Sequence, residues 1–164
     1  MDKADMLVKL YDLDDGRFFL TSQETMGITI RKPLGGEKQP VIDWVRKNFG
    51  DEWLSEVEMA IVSSPKSCFI AIRESRIIGF CCYDATALGF CGPVGVEAAS
   101  RGNGTGKALL LTSLLDMKLK GYGYAIIGWV GENGFEFYRK VAGAVRIPDS
   151  FPGVYTNYLR RKQQ

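Results

Sequence analysis

Between Gly92 and Leu111 the chain passes through three regimes in quick succession. The stretch GPVGVEAASRGNGTGKALLL opens as a short apolar strand, breaks into glycine at every second position (Gly102, Gly104, Gly106) and closes in leucines at helical spacing. A turn needs one glycine, or two. Three in alternation leave successive backbone N–H groups uncovered, and the helix that follows adds about half a positive charge at its N-terminus. Phosphate suits such a seat. Lys107 falls in the first turn of that helix and Arg101 just before the loop. A cation in a first turn costs a few tenths of a kcal/mol unless an anion lies close, so both support an anion. Taken alone, the same loop could be a connector that only turns the chain, with two surface cations.

The flanking pattern sets the rest of the order. ITIRKPL (28–34) alternates as a strand and ends in Gly35-Gly36. Val41, Ile42, Val45 and Phe49 recur at helical spacing up to Gly50, and a second helix follows from Asp51 as N-cap, with Trp53, Val57, Ala60 and Ile61 as its apolar stripe. CFIAI and RIIGFCCYD read as a hairpin across RES, and the opening stretch supplies the next strand at about 87–96. Leu110, Leu114 and Met117 mark a helix closed by Gly121. YAIIGWV reads as a strand buried on both faces. Asn133 with Glu136 resembles a capping box opening the helix GFEFYRKVAG. IPDSFPG is a loop, and VYTNYL (154–159) a last strand before the basic tail RRKQQ. The order is β-α-α-β-β-β-α-β-α-β, an α/β domain with a mixed sheet covered by helices. Residues 1–26 read differently: LVKLYDL and RFFL flank Asp14-Asp15-Gly16, and TSQETMG is a polar connector. They are expected as an N-terminal extension, a loose hairpin or an arm packed on the main domain at 27–164.

Composition narrows the chemistry. With 164 residues one core is expected. A net charge of +2 argues against a dedicated nucleic-acid partner. The apolar runs are too short to span a bilayer, and the first residues carry acids where a signal peptide carries an apolar core, so no membrane partner and a cytoplasmic location are expected. Four cysteines (68, 81, 82, 91) lack CxxC spacing and read as buried, reduced thiols. The absence of histidine removes Ser-His and Cys-His nucleophile pairs and HExxH zinc sites. Catalysis must then use carboxylates, Tyr, Lys, backbone amides or a cofactor, and no metal is expected.

Two phosphate templates fail. GxxxxGK[ST] meets Arg101 at its first glycine and Ala108 at its hydroxyl, and GxGxxG does not match GxGxG. RGNGTG (101–106) does resemble the [QR]xxGx[GA] coenzyme A signature of the GNAT acetyltransferase superfamily. FYRKVAGA (137–144) resembles that superfamily's FYxKxGF segment, with one extra residue before Gly143 and Ala144 for an aromatic. The resemblance runs from about residue 28 to 159. It implies a mixed, mostly antiparallel central sheet flanked by helices, and acetyl-CoA as co-substrate. In that reading the amides of Gly102, Asn103, Gly104, Thr105, Gly106 and Lys107 carry a pyrophosphate, with Arg101 and Lys107 holding its charge. The edge of Val94, Gly95 and Val96 pairs with the amide-rich pantetheine arm, Gly95 being either a bulge or a site of close packing. An N–H near Val96 would polarise the thioester carbonyl.

The resemblance places Phe137 and Lys140 beside the cofactor. Where the family often has Asn, seven residues before Tyr138, this chain has Gly131 with Asn133 nearby. Tyr138 becomes the acid that protonates the departing thiolate, or else a packing aromatic. A base for the protonated amine would be Glu97 or Asp84, each otherwise a solvated loop acid, or a water chain. NFGDEW and IPDSFPG would shape the acceptor side, with Trp53, Trp129 and Phe151 as walls or core aromatics, and Asp51 and Glu52 suiting a cation. The expected function is N-acetyltransfer from acetyl-CoA directly to a primary amine of a small molecule or protein. The alternative is a non-catalytic acyl-CoA-binding or regulatory module. The N-terminal extension could also pack across a homodimer.

Overall fold

The computed structural model describes residues 3–159. Its elements run β1 (Ala4–Lys9), α1 (Phe18–Thr25), β2 (Ile28–Arg31), α2 (Lys38–Phe49), α3 (Leu54–Val62), β3 (Cys68–Arg73), β4 (Arg76–Tyr83), β5 (Cys91–Val96), α4 (Thr105–Leu119), β6 (Tyr124–Val130), α5 (Glu132–Ala142) and β7 (Val145–Arg146). From β2 onward this is the expected order.

The strands form two antiparallel half-sheets, β2-β3-β4-β5 and β6-β1-β7. They meet at a single parallel bridge, Phe90 to Ile126. Helix α4 lies across both halves. Its Leu109, Leu110, Leu114 and Met117 are buried against Met6 and Val8 of β1, Ile28 of β2, Ile78 of β4 and Ile127 of β6. On the opposite face, Val41, Ile42 and Val45 of α2 and Val57, Ala60 and Ile61 of α3 cover Ile70, Phe80 and Cys82. Burying each large aliphatic or aromatic side chain contributes about 1.5–3 kcal/mol. All four cysteines are free and buried in these layers.

Six expectations change. YAIIGWV, expected to be buried on both faces, alternates instead, with Tyr124 and Trp129 exposed and Ala125, Ile127 and Val130 buried. Residues 4–9 are neither hairpin nor outer arm; they form a strand between β6 and β7, because Met6, Val8 and Leu10 alternate inward and are fully buried. Residues 18–25, expected as an apolar run and a connector, are helical, leaving Phe18 exposed and burying Gln23. The last strand is Val145–Arg146, not 154–159. β1 already fills the place beside β6, and Gly153–Tyr155 is a 3-10 turn with Val154, Tyr158 and Leu159 exposed. Asp51 does not cap α3, which starts after Trp53; it pairs with Arg46 Nε at 3.3 Å. Asn133 does not cap α5, which follows Gly131, and Glu136 instead pairs with Arg139 at 2.7 Å and Lys140 at 3.2 Å. The tail from residue 160 lies outside the described residues.

Candidate functional site

The seam between the half-sheets is where the backbone opens. β5 and β6 run side by side only at Phe90 and Ile126, so the outer edge of β5 along Val94–Val96 is not paired with β6. Two bulges bend the strands apart. On β5, Gly92 and Pro93 together face Cys82, since the register slips between Cys81, opposite Val94, and Tyr83, opposite Cys91. On β6, Gly128 and Trp129 together face Asp5. Trp129 there takes φ 55°, a left-handed conformation costly for a bulky residue. The buried Asp5 carboxylate holds it, accepting the Trp129 N–H at 2.9 Å. The bulge expected at Gly95 is therefore at Gly92–Pro93. Gly95 answers to close packing instead: a Cβ there would lie 2.6 Å from the Phe49 ring.

At its far end β5 leads through a 3-10 turn (Ala98–Ser100) into the glycine loop. Gly102 and Gly104 have φ 88° and 76°, which explains both residues, and Gly104 is the N-cap of α4. The first helical bond runs from Ala108 N to the Gly104 carbonyl, so the amides of Thr105, Gly106 and Lys107 precede the ladder. Lys107 is exposed on that first turn. Arg101 folds back, its Nε donating to the Val96 carbonyl at 3.0 Å, which lays the guanidinium along the end of β5. From behind, Gln23 of α1 grips the loop at Asn103 and Thr105.

α5 covers the other side of the seam. Tyr138 packs half-buried on the α4-side core, which Val94 and Val96 also flank. Burial first, then the nearby thiols of Cys81 and Cys91, push its phenol well above its usual value, so it remains protonated through the neutral range. Phe137 is exposed and stands edge-on to Tyr138 at 5.1 Å. Lys140 and Asn133 lie on the exposed side of the helix. The glycine loop thus follows the end of β5, while Tyr138 reaches the same core from α5, near the thiols of Cys81 and Cys91.

The acids fare differently. Asp84 is committed to the fold: one oxygen accepts the Tyr122 hydroxyl and the other the Gly89 amide, each at 2.7 Å, so it is not free to act as base. Glu97 accepts the Ser100 hydroxyl at 2.8 Å and faces a groove of about 740 Å³ between α2 and the β2–β4 strands, shared with Trp44, Lys47 and Arg76. That is the face opposite Tyr138.

On this α2–α3 face Trp129 and Phe151, expected from the sequence as acceptor-side walls, do come together, but sequence reasoning missed the groups around them. Thr86 donates to Glu56, and Tyr155 lies beside both, its phenol pushed up to about 12 by burial and then by Glu56. The Tyr155 hydroxyl sits over Gly128, 3.1 Å from where a Cβ would be. Trp129 stacks on Tyr155 at 4.5 Å and on Phe151 at 5.6 Å, with Lys3 4.4 Å above its ring. Asp5 in KADMLVK, an acid in an apolar alternation, was the one available signal. Trp53 instead joins Phe49 and Phe80 in a packed aromatic cluster, and Glu52 is exposed beside Asp51.

The model of the acetyltransferase (GNAT) family matches residues 38–144, more than half of the chain. Among solved structures, a GCN5-related glucosamine N-acetyltransferase region of a fungal multi-domain GH3 β-N-acetylglucosaminidase superposes with TM-score 0.72 at 16% identity, covering 88% of this chain and 20% of that one. A GCN5-related N-acetyltransferase from Sphaerobacter thermophilus gives 0.68 at 21% identity, covering 88% and 48%. The chain therefore spans about a fifth and about half of those proteins. An aminoglycoside N-acetyltransferase in complex with CoA gives 0.53 at 15% identity, covering 70% and 86%. Nothing among the curated proteins matches. No helix among the described residues is long and apolar enough to cross a membrane. With its fold and its glycine loop in place, the chain belongs to the GNAT acetyltransferase family.

Proposed function

We propose that the protein transfers an acetyl group from acetyl-CoA directly to a primary amine. The observation that carries this is the opened β5–β6 seam, with uncovered amides of a helix N-terminus at one end and a protonated phenol at the other. The loop residues fit the cofactor's anionic part: left-handed glycines at 102 and 104 free the backbone, and Lys107 and Arg101 supply charge. Acetyl-CoA, when bound, supplies the activated acyl group.

The chain's own residues then divide the work. Amides from Gly102 to Lys107 hold the pyrophosphate, and the edge of Val94–Val96 that β6 leaves uncovered, apart from the Val96 carbonyl held by Arg101, offers peptide groups to the pantetheine amides. An N–H of that edge polarises the carbonyl under attack. The amine attacks the acyl carbon, the C–S bond breaks, and Tyr138 gives its proton to the departing sulfur. Its raised phenol yields that proton only as charge develops on sulfur. The acceptor enters from the α2–α3 face, where Trp129, Phe151 and Tyr155 meet Glu56 and Asp5. Its own proton leaves to a carboxylate or water; Glu56, inside that cluster, is the carboxylate to test first, because Glu97 lines a separate groove beside α2.

Thermal-shift titration with acetyl-CoA tests the cofactor. Stabilisation of about 2.7 kcal/mol is expected at a hundredfold excess over Kd, and none at millimolar ligand rejects it. A panel of small amines and peptides then separates an enzyme from an acyl-CoA-binding module: binding without transfer to any amine selects the module.

A further inference from the structure

The glycine loop is held from outside the span matched by the family model. Gln23 sits on α1, in the segment ahead of β2, and is 2% exposed although it is polar and belongs to a helix with few apolar contacts. Both ends of its amide are used across about 80 residues of sequence. Nε2 donates to the Asn103 carbonyl at 2.9 Å, and Oε1 accepts the Thr105 hydroxyl at 2.7 Å. A carbonyl can only accept, so Nε2 must be the atom facing Asn103, and Thr105 must then be the donor. Gly104 lies between the two anchors, and a Cβ there would come within 3.6 Å of Nε2.

We infer that Gln23 is the positioning residue of the anion loop, and that through it the N-terminal segment sets affinity for the pyrophosphate of acetyl-CoA; this rests on the function proposed above. The 103–104 peptide is planar and trans, so its carbonyl and its N–H point in opposite directions. With the carbonyl drawn inward onto Gln23, the Gly104 N–H is turned outward, to the side where an anion meets the N-terminus of α4. Gly104 caps the helix without a side chain and at φ 76°, so nothing in the loop itself selects that orientation. Thr105, buried at 2%, points its hydroxyl away from solvent to complete the clamp. An exposed glycine loop has many backbone states, and a clamp that leaves one of them spares the ligand the cost of ordering it.

The test compares a ligand that has the pyrophosphate with one that lacks it. In Gln23→Met, which keeps the length and loses both hydrogen bonds, KM and Kd for acetyl-CoA should rise about tenfold, the size of one such bond. S-acetylpantetheine, which has no pyrophosphate, should keep its KM, and kcat at saturation should move less than twofold. Thr105→Val should show part of the same loss, and Thr105→Ser should restore it. Equal weakening of both ligands, with a lowered Tm, would make Gln23 only a packing residue and overturn the inference; so would unchanged acetyl-CoA affinity. Wild-type protein that binds no acetyl-CoA would instead reject the function proposed above. Positioning is then decided without ligand by the Gly104 amide resonance. Gln23→Met must move it more than the other α4 amides, and an unmoved resonance overturns the claim.

Discussion

The two half-sheets are built by opposite rules. Three of the strands in β2-β3-β4-β5, namely β3, β4 and β5, follow one another in the chain, and β3 and β4 close a short hairpin. β6-β1-β7 joins the first strand to the last two, with Ala4 opposite Val130. The first half is stabilised by neighbours in sequence; the second exists only when β1 meets β6 and β7. The proposed site lies where they meet, between a strand paired with its sequence neighbours and one whose partners are distant in the chain.

The largest test of this contrast is Met6→Ala. Met6 is buried in the core beneath α4, and its loss should cost about 2–5 kcal/mol. Because α4 spans both halves, Met6→Ala and Ile70→Ala, the latter on the other core, should each lower one shared melting transition. Two separate transitions in calorimetry would show the halves to be independent.

At the seam, Tyr138→Phe should lower kcat by about 10²-fold with little change in acetyl-CoA Kd. The shape of the pH–rate profile should stay as in wild type up to about pH 10, because the phenol is raised and does not titrate below that. Unaltered kcat in steady-state assays would reduce Tyr138 to a packing aromatic.

Within the local half, Gly95→Ala should destabilise by about 1–3 kcal/mol through its clash with Phe49. Chemical denaturation should find most of that returned in Gly95→Ala with Phe49→Leu. A neutral Gly95→Ala would mean the ring has room to move.

The smallest effect lies on the edge strand β2. Arg31 first, and the Leu34 amide second, hold the Glu37 carboxyl down at about 2. A lowered folded value means the contribution is full above about pH 4.5 and is lost as pH falls toward 2. On so exposed a pair it is at most about 1 kcal/mol. In urea titrations across that window, Glu37→Gln should differ from wild type above pH 5 and converge with it near pH 2. A constant difference would assign the loss to packing.

Legibility in the sequence followed the same divide. Helical spacing at Val41, Ile42 and Val45, the RES hairpin and the glycine loop are local signals, and each marked an element that forms. The placement of β1 cannot be read, because alternation in ADMLVK says that a strand forms, not which partner sits more than a hundred residues away. The same limit hid Gln23, whose polar neighbours Ser22 and Glu24 are exposed while it alone turns inward. VYTNYL misled for the converse reason: it has strand-like residues but finds its place taken by β1. On the proposed cofactor side the motif is contiguous, so its residues can be read from their spacing. On the acceptor side Asp5, Glu56, Thr86 and Tyr155 come from four separate segments, and no spacing joins them.

The position of β1 also governs the order of events at the ribosome. Its residues are translated ahead of every other described strand, and their partner at Val130 follows more than a hundred residues later, a delay of roughly 6–25 s at 5–20 residues per second. Met6, Val8 and Leu10 must stay uncovered for that interval while the β3–β4 hairpin is already able to close. The nascent domain thus carries the apolar residues of β1 in need of protection until β6 is made, and the seam can form only after that.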